Sequence, residues 1–208
     1  MSKSNQMTMA VLGVAAGVAW GDTIHESAPM SFPQSGGAAI SQFQSLGSRF
    51  SVDEMTQVTG IRGHLGGSPQ GGDIFGAIVA LDGPAGLPVG DPFDAEELLA
   101  WTTFEPTFPS SDILVPLDLT LEPGDYALVF GTNQFGADSI GFMPFNFEDN
   151  PGSSYFGWQP TGWLDGGFMH TRFVVEGIVV PGPTTFFLVL LSYSLLGKRE
   201  PGVMDSKR

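Results

Sequence analysis

The sequence predicts an all-β fold: a single antiparallel β-sandwich, jelly-roll-like, flanked by an N-terminal signal helix and a C-terminal transmembrane helix. Three observations lead there. Gly (29) and Pro (16) supply over a fifth of the 208 residues, a mixture that suits short strands and tight turns better than a helical bundle. Apolar residues make up 42%, ample for a core, and Phe alone contributes 17. Between residues 40 and 177, short apolar runs alternate with turn signals, giving about eight or nine candidate strands with short connections. No internal repeat is evident. The length suits one domain of ordinary size with flanking segments.

Residues 1–21 read as a secretory signal peptide. Lys3 supplies the positive n-region, and residues 7–19 (MTMAVLGVAAGVA) form an uncharged apolar run of h-region length. Ala19 and Gly21 put small residues at the two positions a signal peptidase inspects, so cleavage is expected before Asp22. Residues 22–39 are polar and rich in Pro, Gly and Ser, and read as a linker. The body, residues 40–177, follows. Residues 74–81 (IFGAIVAL) are apolar on both parities, as a strand covered on both faces would be. Residues 91–100 (DPFDAEELLA) suit one short helix, with Asp91 as cap and Pro92 at the first position.

Further along, Ile113, Val115, Leu117 and Leu119 share one parity. Pro123 and Gly124 then fit the second and third positions of a type II turn, since proline presets φ and glycine accepts φ > 0. Tyr126, Leu128 and Phe130 line one face of the returning strand. Met169, Thr171, Phe173 and Val175 alternate with His170, Arg172, Val174 and Glu176, as a half-buried strand does.

Residues 178–208 have three parts in fixed order. Val180, Pro181, Gly182, Pro183 and Thr184 come first, then the apolar run 186–196 (FFLVLLSYSLL), then Lys198 and Arg199. Pro183 can open a helix, because its missing N–H would be unpaired in the first turn anyway. The basic pair would stop the helix at the cytoplasmic face and hold the body outside. A helix over residues 184–197 would be only ~21 Å long. That is short of the ~30 Å hydrocarbon core and suits a transient anchor better than a durable one.

This tail resembles the PEP-CTERM sorting signal of exported bacterial proteins, in which a Val-Pro-Glu-Pro-like motif precedes an apolar helix and a basic cluster. Gly182 stands where that family usually carries Glu. The resemblance implies processing by an exosortase-like enzyme, an integral-membrane transpeptidase, in bacteria that also secrete exopolysaccharide. Within the body, LGSRFSV, TQVTGIRGHLG, LEPGDYALVFG and RFVVEG resemble, at the level of pattern, a loose group of surface β-sandwiches called choice-of-anchor domains. That second resemblance spans about residues 46–177 and implies fold and location rather than an activity.

Charge excludes several function classes. The net charge is -14, from 22 acidic and 8 basic residues. Five of the basic residues sit near the ends, leaving Arg49, Arg62 and Arg172 between them. So acidic a body is repelled by phosphate backbones and anionic headgroups, so nucleic acid is excluded as a partner. There is no cysteine, hence no disulfide, thiolate metal site or cysteine nucleophile. No nucleophile elbow, zinc-helix motif, P-loop or dinucleotide fingerprint occurs. His25, His64 and His170 have no zinc-site spacing.

Two features point to binding. Phe145, Phe147, Tyr155, Phe156, Trp158 and Trp163 are interleaved with Gly, Pro, Asn and Asp, the mixture that holds sugar rings by stacking and hydrogen bonding. Acidic residues cluster at Asp91, Asp94, Glu96 and Glu97, and at Glu148 and Asp149, where oxygen-rich loops could take Ca²⁺, although neither has a recognised loop spacing. The sequence therefore points to an exported, non-enzymatic cell-surface or matrix protein with no cofactor and no assigned metal. The alternatives are a carbohydrate-binding module using Tyr155, Trp158 and Trp163 on extracellular polysaccharide, and a secreted hydrolase.

Overall fold

Residues 21–31 and 36–181 are described by the computed structural model, and all their regular structure is β. The expected signal and transmembrane helices lie outside the described residues. So do Ala19, Gly182, Pro183, Thr184, Lys198 and Arg199. Among the described residues no helix is long and apolar enough to cross a membrane.

The first strands are β1 (Asp22–Glu26), β2 (Gly37–Ile40), β3 (Ser45–Val52) and β4 (Thr56–Gly67). Next come β5 (Ile74–Ala80), β6 (Leu98–Phe104), β7 (Ser111–Leu121) and β8 (Gly124–Gly131). The last are β9 (Gly141–Pro144), β10 (Tyr155–Gln159), β11 (Gly162–Asp165) and β12 (Phe173–Val179). They form two six-stranded antiparallel sheets. In the first, Ile61 of β4 pairs with Val175 of β12 on one side and Val115 of β7 on the other; β1 lies beyond β12. The far end of β4 pairs with β9, which carries β2. The second sheet runs β11-β10-β3-β8-β5-β6.

The sheets face each other across one core, and the arrangement is sandwich-like. Ile61, Leu65, Phe173 and Val175 of the first sheet meet Leu46, Ile78, Leu128 and Phe130 of the second. Phe130 stacks on Phe173, with ring centroids 5.4 Å apart. A second cluster, with Phe75, Ala77, Val79, Ala127, Val129 and Phe156, lies on the other face of the second sheet. Leu81, Leu87 and Phe93, from the β5–β6 loop, pack over it. β5 is thus covered on both faces, as its double-parity pattern predicts: Ile74 and Ile78 enter one cluster, and Phe75, Ala77 and Val79 the other.

Four local expectations differ from the structure. The strand read from Met169 onward begins only at Phe173, after a turn in which His170 takes a φ of 67°, and its first five residues are buried on both faces. Segment 22–39 is more than a linker, because it contributes β1 and β2. Its polar groups are spent on the fold: the Ser27 carbonyl accepts from Ser153, Tyr155 and the Asn150 backbone, and the Asn150 amide donates to the Glu26 carbonyl. The short helix over 91–100 is replaced by turns leading into β6. The Glu97 carboxylate accepts the N–H groups of Val89 and Asp94 and closes the turn, and Leu98 then pairs with Val79. Pairing with an open strand outweighs a modest helix propensity. At the β7–β8 turn, Gly124 is not in the positive-φ region that a type II turn requires. The Tyr126 hydroxyl instead donates to the Glu122 carbonyl at 2.7 Å and bridges the corner.

The three arginines of the body are all ion-paired. Arg172 binds Glu26 at 2.7 Å and also Asp112; Arg62 binds Asp112 and Glu176. This chain of charges runs across β1, β12, β4 and β7. Arg49 is 2.9 Å from Asp165 and lies over the Phe156 ring, while its Nε donates to the Gly86 carbonyl and ties down the β5–β6 loop.

Candidate binding groove

The three aromatic residues expected to hold a sugar are divided by the fold. Tyr155 faces the inter-sheet core, only 5% exposed, and its hydroxyl is shared between the Ser27 carbonyl and Asp149. Burial raises its pKa well above the usual phenol value, with Asp149 adding to the effect. Trp163 packs against Phe93 and Phe156, and its indole N–H donates to the Pro92 carbonyl at 2.7 Å. Both are structural. Trp158 is the cross-strand partner of Trp163 but is half-buried at the edge of a polar groove, and its Nε1 is buried without a partner.

That groove consists of two adjoining cavities of about 240 and 310 Å³ which share Ser41, Gln42, Thr132 and Asn133 as walls. The first continues to Asp91, Gln134 and Trp158, the second to Phe43, Asp138 and Ile140. Its walls come from the β2–β3 turn, the β5–β6 loop and the β8–β9 loop, with Ser45 of β3 and Trp158 of β10.

Aromatic packing underneath explains how these loops are held. Phe135, in the β8–β9 loop, stacks on Trp101 at 4.7 Å and meets Phe75 edge-on at 5.1 Å. Phe93, in the β5–β6 loop, packs on Phe75, Phe135 and Trp163. Asn133 and Phe135 adopt φ of 64° and 55°, a region that non-glycine residues seldom occupy. Backbone bonds between Asn133 and Ala137, and between Ala137 and Gln134, fix that shape and turn Asn133 outward to solvent. The side chains of Gln42, Asp91, Asn133 and Gln134 form no hydrogen bond within the described residues. Sequence reasoning missed Asn133 and Gln134. The available signal was GTNQFG, an amide pair flanked by glycines where a left-handed turn is expected.

Of the residues in the two acidic clusters, Asp91 lines the groove, and Glu97 and Asp149 are engaged in local hydrogen bonds. Glu97 caps a turn, and Asp149 accepts from Tyr155 and from the His170 backbone. Among the described residues no three metal-ligating side chains come together. The His25 Nε2 lies 3.0 Å from the Ser48 hydroxyl, but Ser48 is fully buried and out of reach of a substrate carbonyl. No protein-family model matches the chain, and no curated protein matches it in sequence.

His25 carries a pH dependence. Its ring stacks on Phe50, and burial lowers its pKa from 6.5 to about 4. Between these values the unfolded chain binds a proton that the folded chain refuses, so stability is whole above pH 6.5 and falls as pH drops toward 4. The loss attributable to His25 is at most about 3 kcal/mol. Burial also lowers the pKa of His64, which acts in the same direction. Urea midpoints at pH 7 and 4.5 should differ by less in His25→Gln than in the wild type.

Proposed function

We propose that this is an exported, non-enzymatic surface protein whose body acts as a structural or adhesive module. It would be delivered by its N-terminal signal and sorted by its PEP-CTERM-like tail, with an exosortase-like enzyme and the membrane as partners in that step. One observation carries the reading. Asp22, the first residue after the expected cleavage point, pairs with Gly177 near the end of β12, and Val180 and Pro181 of the sorting motif follow directly. The folded strands thus span the interval between the two expected signals, and the first and last of them are neighbours.

The strand order also supports a jelly roll. β1-β12-β4-β7 face β3-β8-β5-β6, the order of two interlocked Greek keys, with the short β2, β9, β10 and β11 as additions. Jelly rolls recur among binding and capsid domains, which suits a module that works by contact. Cell fractionation with intact-mass measurement tests the proposal. The expected result is a species beginning at Asp22 in the envelope or medium; full-length protein in the cytosol would overturn it.

A further inference from the structure

We infer that the groove between the β2–β3 turn, the β5–β6 loop and the β8–β9 loop binds a neutral saccharide. This goes beyond the surface location proposed above and does not depend on it.

The groove is built before any ligand arrives. Phe135 and Phe93 anchor two of its walls on the aromatic cluster beneath. Asn133 is held in a left-handed conformation by the hydrogen bonds of its own loop. Backbone strain of this kind persists only where surrounding structure enforces it, and it concentrates at ligand sites.

The exposed chemistry matches hydroxyl groups. Gln42, Asn133 and Gln134 each offer an amide donor and acceptor with no partner among the described residues. Asp91 and Asp138 add acceptors. The Trp158 Nε1 adds no exposed donor, because it is buried, with no partner among the described residues. Apolar surface lies alongside: Trp158 at one end, and Phe43 and Ile140, each 60% exposed, at the other. A sugar ring presents this combination, with an apolar C–H face to stack and hydroxyls around its edge.

Charge and shape remove the competing ligands. Among the described residues no basic side chain lines either cavity, and the body's three arginines are all paired elsewhere, so the charged groups an anion meets there are Asp91 and Asp138. Two carboxylates at opposite ends of the groove do not make a cation site. Besides turns and loops the walls take only Ser45 of β3 and Trp158 of β10, strands already paired on both sides, so an extended peptide finds no ladder to join. The two cavities in line suit more than one sugar unit, as a polysaccharide offers.

Native affinity electrophoresis of the full chain in mild detergent tests this, in gels containing dextran, galactomannan, xyloglucan, arabinoxylan or anionic alginate. Retardation is expected in at least one neutral gel and not in alginate. Trp158→Ala should weaken it at least about tenfold. Asn133→Gly should weaken it comparably while keeping the fold, because glycine accepts the φ of 64° found there. Three results would overturn the proposal: no retardation in any neutral gel, equal retardation of wild type and both variants, or retardation in alginate alone. Binding is read on purified protein, so its failure leaves the export reading standing, and a cytosolic location leaves the groove standing.

Discussion

Phe130→Ala is expected to lower the unfolding free energy by about 4 kcal/mol, the largest effect of any single change considered for this protein. The ring is fully buried, stacks on Phe173 of the opposite sheet and meets Phe104 edge-on at 6.1 Å. It also lies against Gly63 and Gly76, where a Cβ would come within about 3 Å of it. Those two glycines leave room for the ring, so its removal opens a void that fixed backbone on two strands cannot close. The loss has a transfer part and a cavity part, and both are large here. A guanidinium titration gives the measurement. Phe147→Ala, at a ring 61% exposed, is the matched control and should shift stability by no more than about 0.5 kcal/mol. Similar losses in the two variants would show that Phe130 does not join the sheets.

Arg172→Met should cost about 3 kcal/mol. The Arg172 side chain is 8% exposed and satisfies both Glu26 and Asp112. Methionine fills much the same volume but leaves two carboxylates without that partner, one on β1 and one on β7. Because those carboxylates are 29% and 26% exposed, water recovers part of the loss, which keeps the figure at the lower end for a broken buried pair. Adding Glu26→Gln and Asp112→Asn to Arg172→Met should restore part of the lost stability, since the Glu26 charge that has lost its arginine and the Asp112 charge left with Arg62 alone both go with the substitutions. If the triple variant is less stable than Arg172→Met alone, charge pairing is not what the arginine supplies.

The fold was most legible where the apolar pattern was strongest. Residues 74–81 are apolar on both parities, and β5 carries one cluster on each face. The body was less legible where pairing is made far along the chain. Nothing in DTIHE marks a strand except Thr23 and Ile24; β1 exists because β12, about 150 residues later, offers it an edge. The same cause defeated the helix over 91–100: Asp91 and Pro92 are good helix openers, but Pro92 and Glu97 are committed to contacts that a helix would break.

For the site, parity held the missing information. Tyr155 and Trp158 are three residues apart, and on a strand an odd separation puts side chains on opposite faces. Once β10 is recognised as a strand, only one of them can face outward with Trp163, its neighbour on β11. Asn133 and Gln134 were invisible for a different reason. Their role depends on Phe135 being pinned beneath them by Trp101 and Phe75, contacts that no local pattern encodes.

The position of β12 bears on what happens when the protein is pulled. β12 is an inner strand, bonded to β1 on one side and β4 on the other, and it ends at Val179. Tension applied through the tail runs along the strand axis and is shared by two hydrogen-bonded ladders loaded in shear. An edge strand tethered the same way would peel open one bond at a time. A module held to a surface by such a tail would therefore carry drag through two ladders rather than one.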